Sequence, residues 1–221
     1  MKLRAMTHGL VVTGVVAILF VSLGATSAFA GATEHAQLSH GTNGQPNSNG
    51  AAKKVKESNG GSGALLTSVN LGFGLISVKL PASTTLSELT ALSTGYEVTE
   101  GTCAGGSPRF ALVVLPAGDK SMKDAQVIWV YFGTQPYGSG CAPQQGLTTA
   151  DATQSAWWTD GGNTQQSYAQ AISTMGTDRL VAVQVAVDGG WDQTPEVQQV
   201  LIQNLTVGIN GSNTSFFPLP S

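Results

Sequence analysis

The side chains that most often perform catalysis or bind metal are concentrated at one end of this chain. All three histidines, His8, His35 and His40, lie within the first forty residues. A serine or cysteine nucleophile needs an imidazole base, and zinc or iron sites rely on imidazole or clustered thiolates. The sequence therefore predicts no catalytic residues and no metal site, and it favours binding over catalysis.

Carboxylates are the remaining groups that could act on a substrate. A glycosidase uses two of them, about 5–9 Å apart. Glu97 and Glu100 are the nearest pair on a predicted strand, but a spacing of three places them on opposite faces. Asp188 and Asp192 flank a glycine loop that lacks the dense ligand pattern of calcium sites. A carboxylate glycosidase therefore remains an alternative function, no cofactor is expected, and a structural calcium ion stays compatible with the sequence.

Several aromatic residues lie beside polar side chains in predicted loops. An exposed ring offers an apolar face to a sugar while neighbouring polar groups read its hydroxyls. Trp157 and Trp158 are adjacent, so one should face the core and the other outward. Trp129, inside a strand, is expected in the core. The ligand-binding candidates are Trp157, Trp158, Asp160, Asn163, Trp191 and Tyr137.

Two pairs of residues are expected to have structural roles. Cys103 and Cys141 are the only cysteines, and an even count in an exported chain predicts one disulfide bond. Arg109 is one of two arginines after residue 63. We expect it to pair with a carboxylate such as Asp188 and hold its strand, the alternative being contact with an anionic ligand.

The first thirty residues have the three parts of a secretory signal peptide. Lys2 and Arg4 give a positive start, Leu10 to Leu23 is apolar, and Ala28-Phe29-Ala30 matches a cleavage site. The apolar run is shorter than the ~20 residues of a spanning helix. We therefore expect residues 1–30 to be removed, no membrane span in the mature chain, and a secreted or envelope-associated protein.

Composition divides the rest of the chain in two. Residues 31–63 are rich in Gly, Ser, Asn and Ala, with few large apolar residues, which predicts a disordered flexible linker. Residues 64–221 form the predicted domain. They carry five basic and eleven acidic residues, a net charge of −6. A basic nucleic-acid-binding surface is therefore excluded, and no nucleic-acid partner is expected.

The hydrophobic pattern of residues 64–221 has the period of β-strands. In Leu180 to Asp188 the valines alternate with Ala182, Gln184, Ala186 and Asp188. Strand-like runs are separated by clusters of Gly, Pro, Asn and Asp, and weak helical spacing occurs near Leu86–Leu92 and Tyr168–Ile172. We therefore predict an all-β domain, an antiparallel, jelly-roll-like β-sandwich with one or two short helices.

The order of several short motifs resembles that of a family of uncharacterised secreted bacterial domains. These motifs are Cys103-Ala-Gly-Gly-Ser-Pro-Arg-Phe110, Val130-Tyr-Phe-Gly133, Tyr168-Ala-Gln-Ala171 and Asp188-Gly-Gly-Trp191. The resemblance covers most of residues 86–208 and implies a jelly-roll-like sandwich without an assigned activity. The last strand is more loosely similar to the closing strand of carbohydrate-binding modules, although Gln203-Asn204 stands where they commonly have Asp-Asn.

These observations favour a secreted, non-catalytic module that binds a neutral or cell-wall glycan. The first alternative is a structural extracellular domain without a ligand, whose aromatic residues only pack. The second is the carboxylate glycosidase. An acidic domain disfavours polyanionic ligands, so a neutral polysaccharide is the expected partner.

Overall fold

The computed structural model describes residues 36–42, 44, 47–56, 61–103, 106–132, 148–155, 158–159, 164–190 and 196–216. One α-helix, α1, spans Tyr168–Met175. The strands are β1 (Ala36–Gly41), β2 (Asn49–Lys56), β3 (Ser62–Val69), β4 (Phe73–Lys79), β5 (Leu89–Glu100), β6 (Arg109–Leu115), β7 (Gln126–Tyr131), β8 (Thr148–Asp151), β9 (Trp158–Thr159), β10 (Gln165–Gln166), β11 (Arg179–Val187), β12 (Val197–Ile209) and β13 (Ser212–Ser215).

The described strands form two sheets whose pairings are all antiparallel. The seven-stranded sheet has the order β1-β4-β11-β6-β7-β9-β10, and the six-stranded sheet has the order β2-β3-β12-β5-β8 with β13 beside β12. Strands that are neighbours in a sheet are mostly distant in sequence, so the chain crosses repeatedly between the sheets. This arrangement confirms the predicted all-β sandwich with one short helix.

The expectation of a disordered linker over residues 31–63 is wrong where the structure describes it. Strand β1 pairs with β4 along its whole length, from Ala36 opposite Val78 to Gly41 opposite Phe73. Strand β2 pairs with β3 in the same way. Both are edge strands, so one side of each faces solvent, and Lys53 and Lys54 are exposed. Polar composition concealed two strands that need only a partner's backbone to form.

The core lies between the two sheets and is built from every second residue of the strands. On β11, Val183, Val185 and Val187 have no exposed surface, as their alternation predicts. An aromatic cluster joins the sheets: the rings of Phe110 and Tyr96 lie 4.6 and 5.0 Å from that of Phe132. Burial of such side chains is the main source of stability for a sandwich.

The two regions of weak helical spacing have different structures. Helix α1 begins with a capping box, in which the Ser167 hydroxyl accepts from the Gln170 backbone amide and the Gln170 side chain accepts from the Ser167 amide. Leu86, Leu89 and Leu92 instead begin in a 3₁₀ turn, Leu86–Glu88, and continue into β5, with all three side chains buried. Tertiary packing therefore overrides a spacing that would suit a helix.

Glycine allows the two sheets to meet closely at one edge of the sandwich. A Cβ atom on Gly50 would lie 1.9 Å from the carbonyl oxygen of Phe73, and one on Gly72 would lie 1.8 Å from that of Asn49. No larger residue fits these positions without moving backbone. Strand β2 of one sheet and β4 of the other are thereby brought into contact.

The described part of the chain contains no helix long and apolar enough to cross a membrane. The predicted signal peptide, residues 1–30, lies outside the described residues. Its removal and the export of the chain therefore remain predictions.

Candidate functional site

Of the six predicted ligand-binding residues, the structure describes only Trp158, and it overturns that assignment. Its side chain has no exposed surface. The indole Nε1 donates a hydrogen bond to the Ala152 carbonyl at 2.8 Å, and the ring lies 5.3 Å from that of Tyr168. Trp158 is therefore the inward member of its pair and packs in the core. Trp157, Asp160, Asn163, Trp191 and Tyr137 lie outside the described residues, so their roles remain predictions.

Two half-buried aromatic side chains lie on the outer side of the seven-stranded sheet, Phe73 of β4 and Trp129 of β7, whereas Tyr131 of β7 is only 7% exposed. Trp129 is half-buried, and it alternates with Ile128 and Val130, whose side chains are fully inside the core. The expectation that Trp129 is a core residue is therefore wrong. The outer face of the seven-stranded sheet is the side turned away from the six-stranded sheet. Its central residues are Leu75, Ser77, Arg109, Ala111, Trp129, Tyr131, Gln184 and Ala186.

Small residues form the middle of this outer face. Ala111 of β6 lies between Gln184 of β11 and Trp129 of β7 in the strand register. Ala186 is the partner of Arg109, which is in turn the partner of Tyr131. Both alanines lie on the outer side of the sheet and are nearly fully covered: Ala111 is 1% and Ala186 is 2% exposed. Their small side chains leave room for the larger side chains of the neighbouring strands.

Arg109 holds the aromatic residues in place. Its guanidinium carbon lies 4.2 Å from the centre of the Trp129 ring and 5.7 Å from that of Tyr131. Both distances are within the range of cation–π attraction, about 6 Å. The side chain of Arg109 is only 11% exposed, so water competes little for this contact.

Asp188 orients the guanidinium group of Arg109. A terminal nitrogen of Arg109 donates to Oδ2 of Asp188 in an ion pair, the pairing that the sequence suggested. Asp188 follows the last residue of β11 on the same side as Ala186. Because one positive and one negative charge are in contact, the pair adds little net charge to the outer face. The two motifs Ser-Pro-Arg-Phe and Asp-Gly-Gly-Trp are thus joined in space through this ion pair.

Polar groups accompany the rings. The Gln184 side-chain amide donates to the Ser77 hydroxyl at 3.4 Å, and Gln184 lies beside Ala111 in the strand register. The backbone amide of Trp129 donates to the Thr159 hydroxyl at 2.9 Å, which ties β7 to β9. A half-buried amide is able to exchange hydrogen bonds with hydroxyl groups of a ligand.

A buried polar network lies where β11 ends. The Ser107 hydroxyl accepts from the Asp188 backbone amide at 3.0 Å and donates to the Gln198 side-chain oxygen at 2.7 Å. The next two amides of the glycine loop are also satisfied: Gly189 donates to Gln198 at 3.1 Å and Gly190 to the Ser68 hydroxyl at 3.0 Å. Three consecutive backbone donors after β11 therefore end on buried side chains.

The described residues offer little to a metal ion. Among them, no group of three or more His, Cys, Asp or Glu side chains is arranged to hold a metal. On the described outer face of the seven-stranded sheet, Asp188 is the one carboxylate, and it pairs with Arg109. Asp192, the second acid of the glycine loop, lies outside the described residues.

The expectation that Glu97 and Glu100 lie on opposite faces is wrong, because an irregularity of β5 beside Gln199 and Val200 brings both carboxylates to the outer face of the six-stranded sheet.

The predicted disulfide is described at one end. Cys103 is 4% exposed and is not a free thiol. Cys141 lies outside the described residues, so the Cys103–Cys141 bond remains a prediction.

Sequence analysis missed Trp129 and Gln198, for different reasons. Residues 127–132 are all large and apolar, so no alternation distinguishes the two faces of β7. The inward position of Gln198 could have been predicted, because alternate residues of a strand face the same side and Val200 and Ile202 are core residues. A glutamine in an inward position must find hydrogen-bond partners inside the protein.

Comparisons with known proteins give no family. No family model and no curated protein matches the chain. The resemblance to uncharacterised secreted domains therefore remains a prediction.

Three solved structures are similar to this chain at low sequence identity. The family 11 carbohydrate-binding module of cellulosomal cellulase Lic26A-Cel5E of Clostridium thermocellum has 10% identity and a TM-score of 0.44, over 82% of this chain and 91% of that one. The Clostridium thermocellum family 11 module in complex with a β-1,3-1,4-mixed-linked tetrasaccharide has 11% identity and a TM-score of 0.41, over 82% and 92%. The xyloglucanase domain of NopAA from Sinorhizobium fredii, in complex with cellobiose, has 14% identity and a TM-score of 0.27, over 81% and 98%.

Proposed function

We propose that this protein binds a neutral glycan on the outer face of its seven-stranded sheet. The observation that carries the proposal is the half-buried ring of Trp129, held by the Arg109 guanidinium 4.2 Å away beside a floor of alanines. The aromatic platform expected from the sequence is thereby assigned to β7 instead of Trp158.

The chemistry of a sugar ring matches such a surface. A pyranose has an apolar face of C–H groups that packs on an indole, and hydroxyls at its edge that need polar partners. Because Arg109 and Asp188 already hold the platform, little side-chain freedom is lost on binding. Gln184 and Ser77, two and three strands away from Trp129, supply the polar partners.

Charge favours a neutral ligand over an acidic one. The Arg109 charge is offset by Asp188, and residues 64–221 carry a net charge of −6. A polyanion would be repelled by the domain and would find no uncompensated cation beside Trp129. We expect weak binding, with a Kd in the micromolar to millimolar range, or about −4 to −8 kcal/mol.

The predicted signal peptide at residues 1–30 supports a role outside the cell. An exported, non-catalytic protein with this face would attach to a polysaccharide or to a glycan of the cell envelope. A structural domain without a ligand and a carboxylate glycosidase are the alternatives, and one set of measurements separates all three.

The test is a retention assay on immobilised neutral polysaccharides and purified cell wall, with the full chain, Trp129→Phe and Trp129→Ala. We expect retention of the full chain, weaker retention of Trp129→Phe and none of Trp129→Ala. A folded protein that no glycan retains would show that the domain is structural. Release of new reducing ends from any of these glycans would instead favour the glycosidase.

A further inference from the structure

We infer that Gln198, a residue of the opposite sheet, is the positioning residue that sets the geometry of Arg109 and Asp188 on the proposed glycan-binding face. Gln198 belongs to β12 of the six-stranded sheet and has no exposed surface. It lies on the inner side of that sheet and touches no part of the outer face. The inference rests on the proposed function and identifies the residue that maintains the geometry of that site.

The side-chain amide of Gln198 makes four hydrogen bonds. Its oxygen accepts from the Ser107 hydroxyl at 2.7 Å and from the Gly189 backbone amide at 3.1 Å. Its nitrogen donates to the carbonyls of Thr102 and Ser107 at 2.7 and 2.9 Å. A glutamine amide has two donors and two acceptor lone pairs, so its hydrogen-bonding capacity is completely used.

Glutamine is the residue whose side-chain donors and acceptors match these hydrogen-bond partners. Carbonyl oxygens only accept, and the Gly189 amide only donates, so the orientation of the amide is determined. A glutamate would place a carboxylate against two carbonyl oxygens, and a methionine of similar size would leave the same groups without partners. Unsatisfied groups of this kind are costly in a buried site.

The segments that meet at Gln198 are those that hold the two members of the ion pair. Ser107 lies two residues before Arg109, and Gly189 directly follows Asp188. Ser107 also contacts Asp188 itself, since its hydroxyl accepts from the Asp188 backbone amide at 3.0 Å. Gln198 thus fixes the distance between the backbone segment that carries the Arg109 guanidinium and the segment that carries the Asp188 carboxylate.

The ion pair transmits this geometry to the aromatic ring. Arg109 is directed by Asp188 and lies over Trp129, so a shift of either backbone segment would tilt the guanidinium relative to the ring. Cation–π contact and ion pairing both depend on the orientation of the planar guanidinium. A residue in the core therefore determines how well the outer face is arranged for a ligand.

The test compares Gln198→Met with Gln203→Met, a matched change on the same strand at a half-buried position outside the network. Two readouts are taken well below the unfolding temperature: affinity for a neutral β-glucan, and NMR exchange of the Arg109 Nε–H with water. Because Nε of Arg109 is buried, this proton should exchange slowly in the unaltered chain. The second readout needs no ligand.

We expect Gln198→Met to raise the Kd about tenfold, which corresponds to about 1.4 kcal/mol, and to speed exchange of the Arg109 proton. Gln203→Met should change neither. If Gln198→Met does not fold, Ser107→Ala, which removes only the hydroxyl between Gln198 and Asp188, is measured in its place with the same expectations.

Unchanged affinity and unchanged exchange in a folded variant would overturn the inference. If the unaltered chain binds no glycan, the proposed function fails, and the exchange measurement then decides separately whether Gln198 positions Arg109.

Discussion

The outer faces of the two sheets differ although both belong to the same sandwich. The seven-stranded sheet presents planar side chains, Trp129, Tyr131 and Arg109, on a floor of alanines. The corresponding rows of the six-stranded sheet are Lys53-Leu65-Leu201-Glu97 and Ala51-Thr67-Gln199-Glu100. These two rows mix small, aliphatic, polar and charged side chains and contain no aromatic residue.

The difference shows what distinguishes a binding face from a solvated one. Both faces have half-buried apolar residues, so hydrophobicity alone does not separate them. Within the part of the chain that the structure describes, the seven-stranded sheet is the one whose outer residues connect to a buried network, through Asp188, Ser107 and Gln198. Side chains that are held in one orientation lose little entropy when a ligand arrives.

The strongest contrast should come from removing one large residue from each face. We expect Trp129→Ala to weaken binding of a neutral β-glucan by more than about thirtyfold, or about 2 kcal/mol, because the stacking surface is lost. Leu201→Ala on the six-stranded sheet is the matched control and should leave the affinity unchanged. Isothermal titration calorimetry on both variants checks this. Equal losses for the two variants would remove the distinction between the faces.

A smaller effect should follow from removing one carboxylate from each face. Asp188→Asn leaves Arg109 without its counter-charge, and we expect a loss of about 1–3 kcal/mol in unfolding free energy and about tenfold in affinity, or about 1.4 kcal/mol. Glu97→Gln, on the six-stranded sheet, should change neither quantity measurably. Urea unfolding and calorimetry provide the two values. An Asp188→Asn protein with unaltered affinity would show that Arg109 needs no partner to hold Trp129.

The smallest effect concerns pH and stability on the side of the six-stranded sheet. A hydrogen bond from the Asn210 side chain, and next one from the Thr85 backbone amide, lower the pKa of Glu88 below its usual value. A lowered pKa stabilises the folded state above the unfolded value, near about 4.3, and this contribution is lost as the pH falls through the folded value.

Glu88→Gln should therefore reduce the loss of stability on acidification below about pH 4 and leave glycan affinity at neutral pH unchanged. Thermal unfolding between pH 3 and 7 measures the first effect. A weaker affinity of Glu88→Gln at neutral pH would extend the binding surface beyond the seven-stranded sheet.

Alternation in the sequence predicted the sandwich and much of its core, but it did not locate the site. Val183, Val185 and Val187 of β11 were assigned to one face correctly because their outward neighbours are Ala and Gln, whereas the bulge between Leu180 and Ala182 leaves Val181 half-buried. Trp129 was misplaced because β7 is apolar on both faces, so no alternation marks its outward side. Strands β1 and β2 were missed because edge strands need little hydrophobic surface of their own. The ion pair of Arg109 with Asp188 was suggested by the scarcity of basic residues, but its contact with Trp129 depends on cross-strand register, which composition does not reveal.

An NMR titration of the full chain with a soluble neutral β-glucan oligosaccharide tests the central claim most directly. We expect amide shifts to concentrate on the outward residues of β6, β7 and β11, with the shifts of the Trp129 indole and the Arg109 Nε–H among the largest. The outward residues of β3 and β12 should remain unshifted. Shifts centred on Leu65, Thr67 and Leu201, or a complete lack of shifts with every glycan that retains the protein, would contradict it.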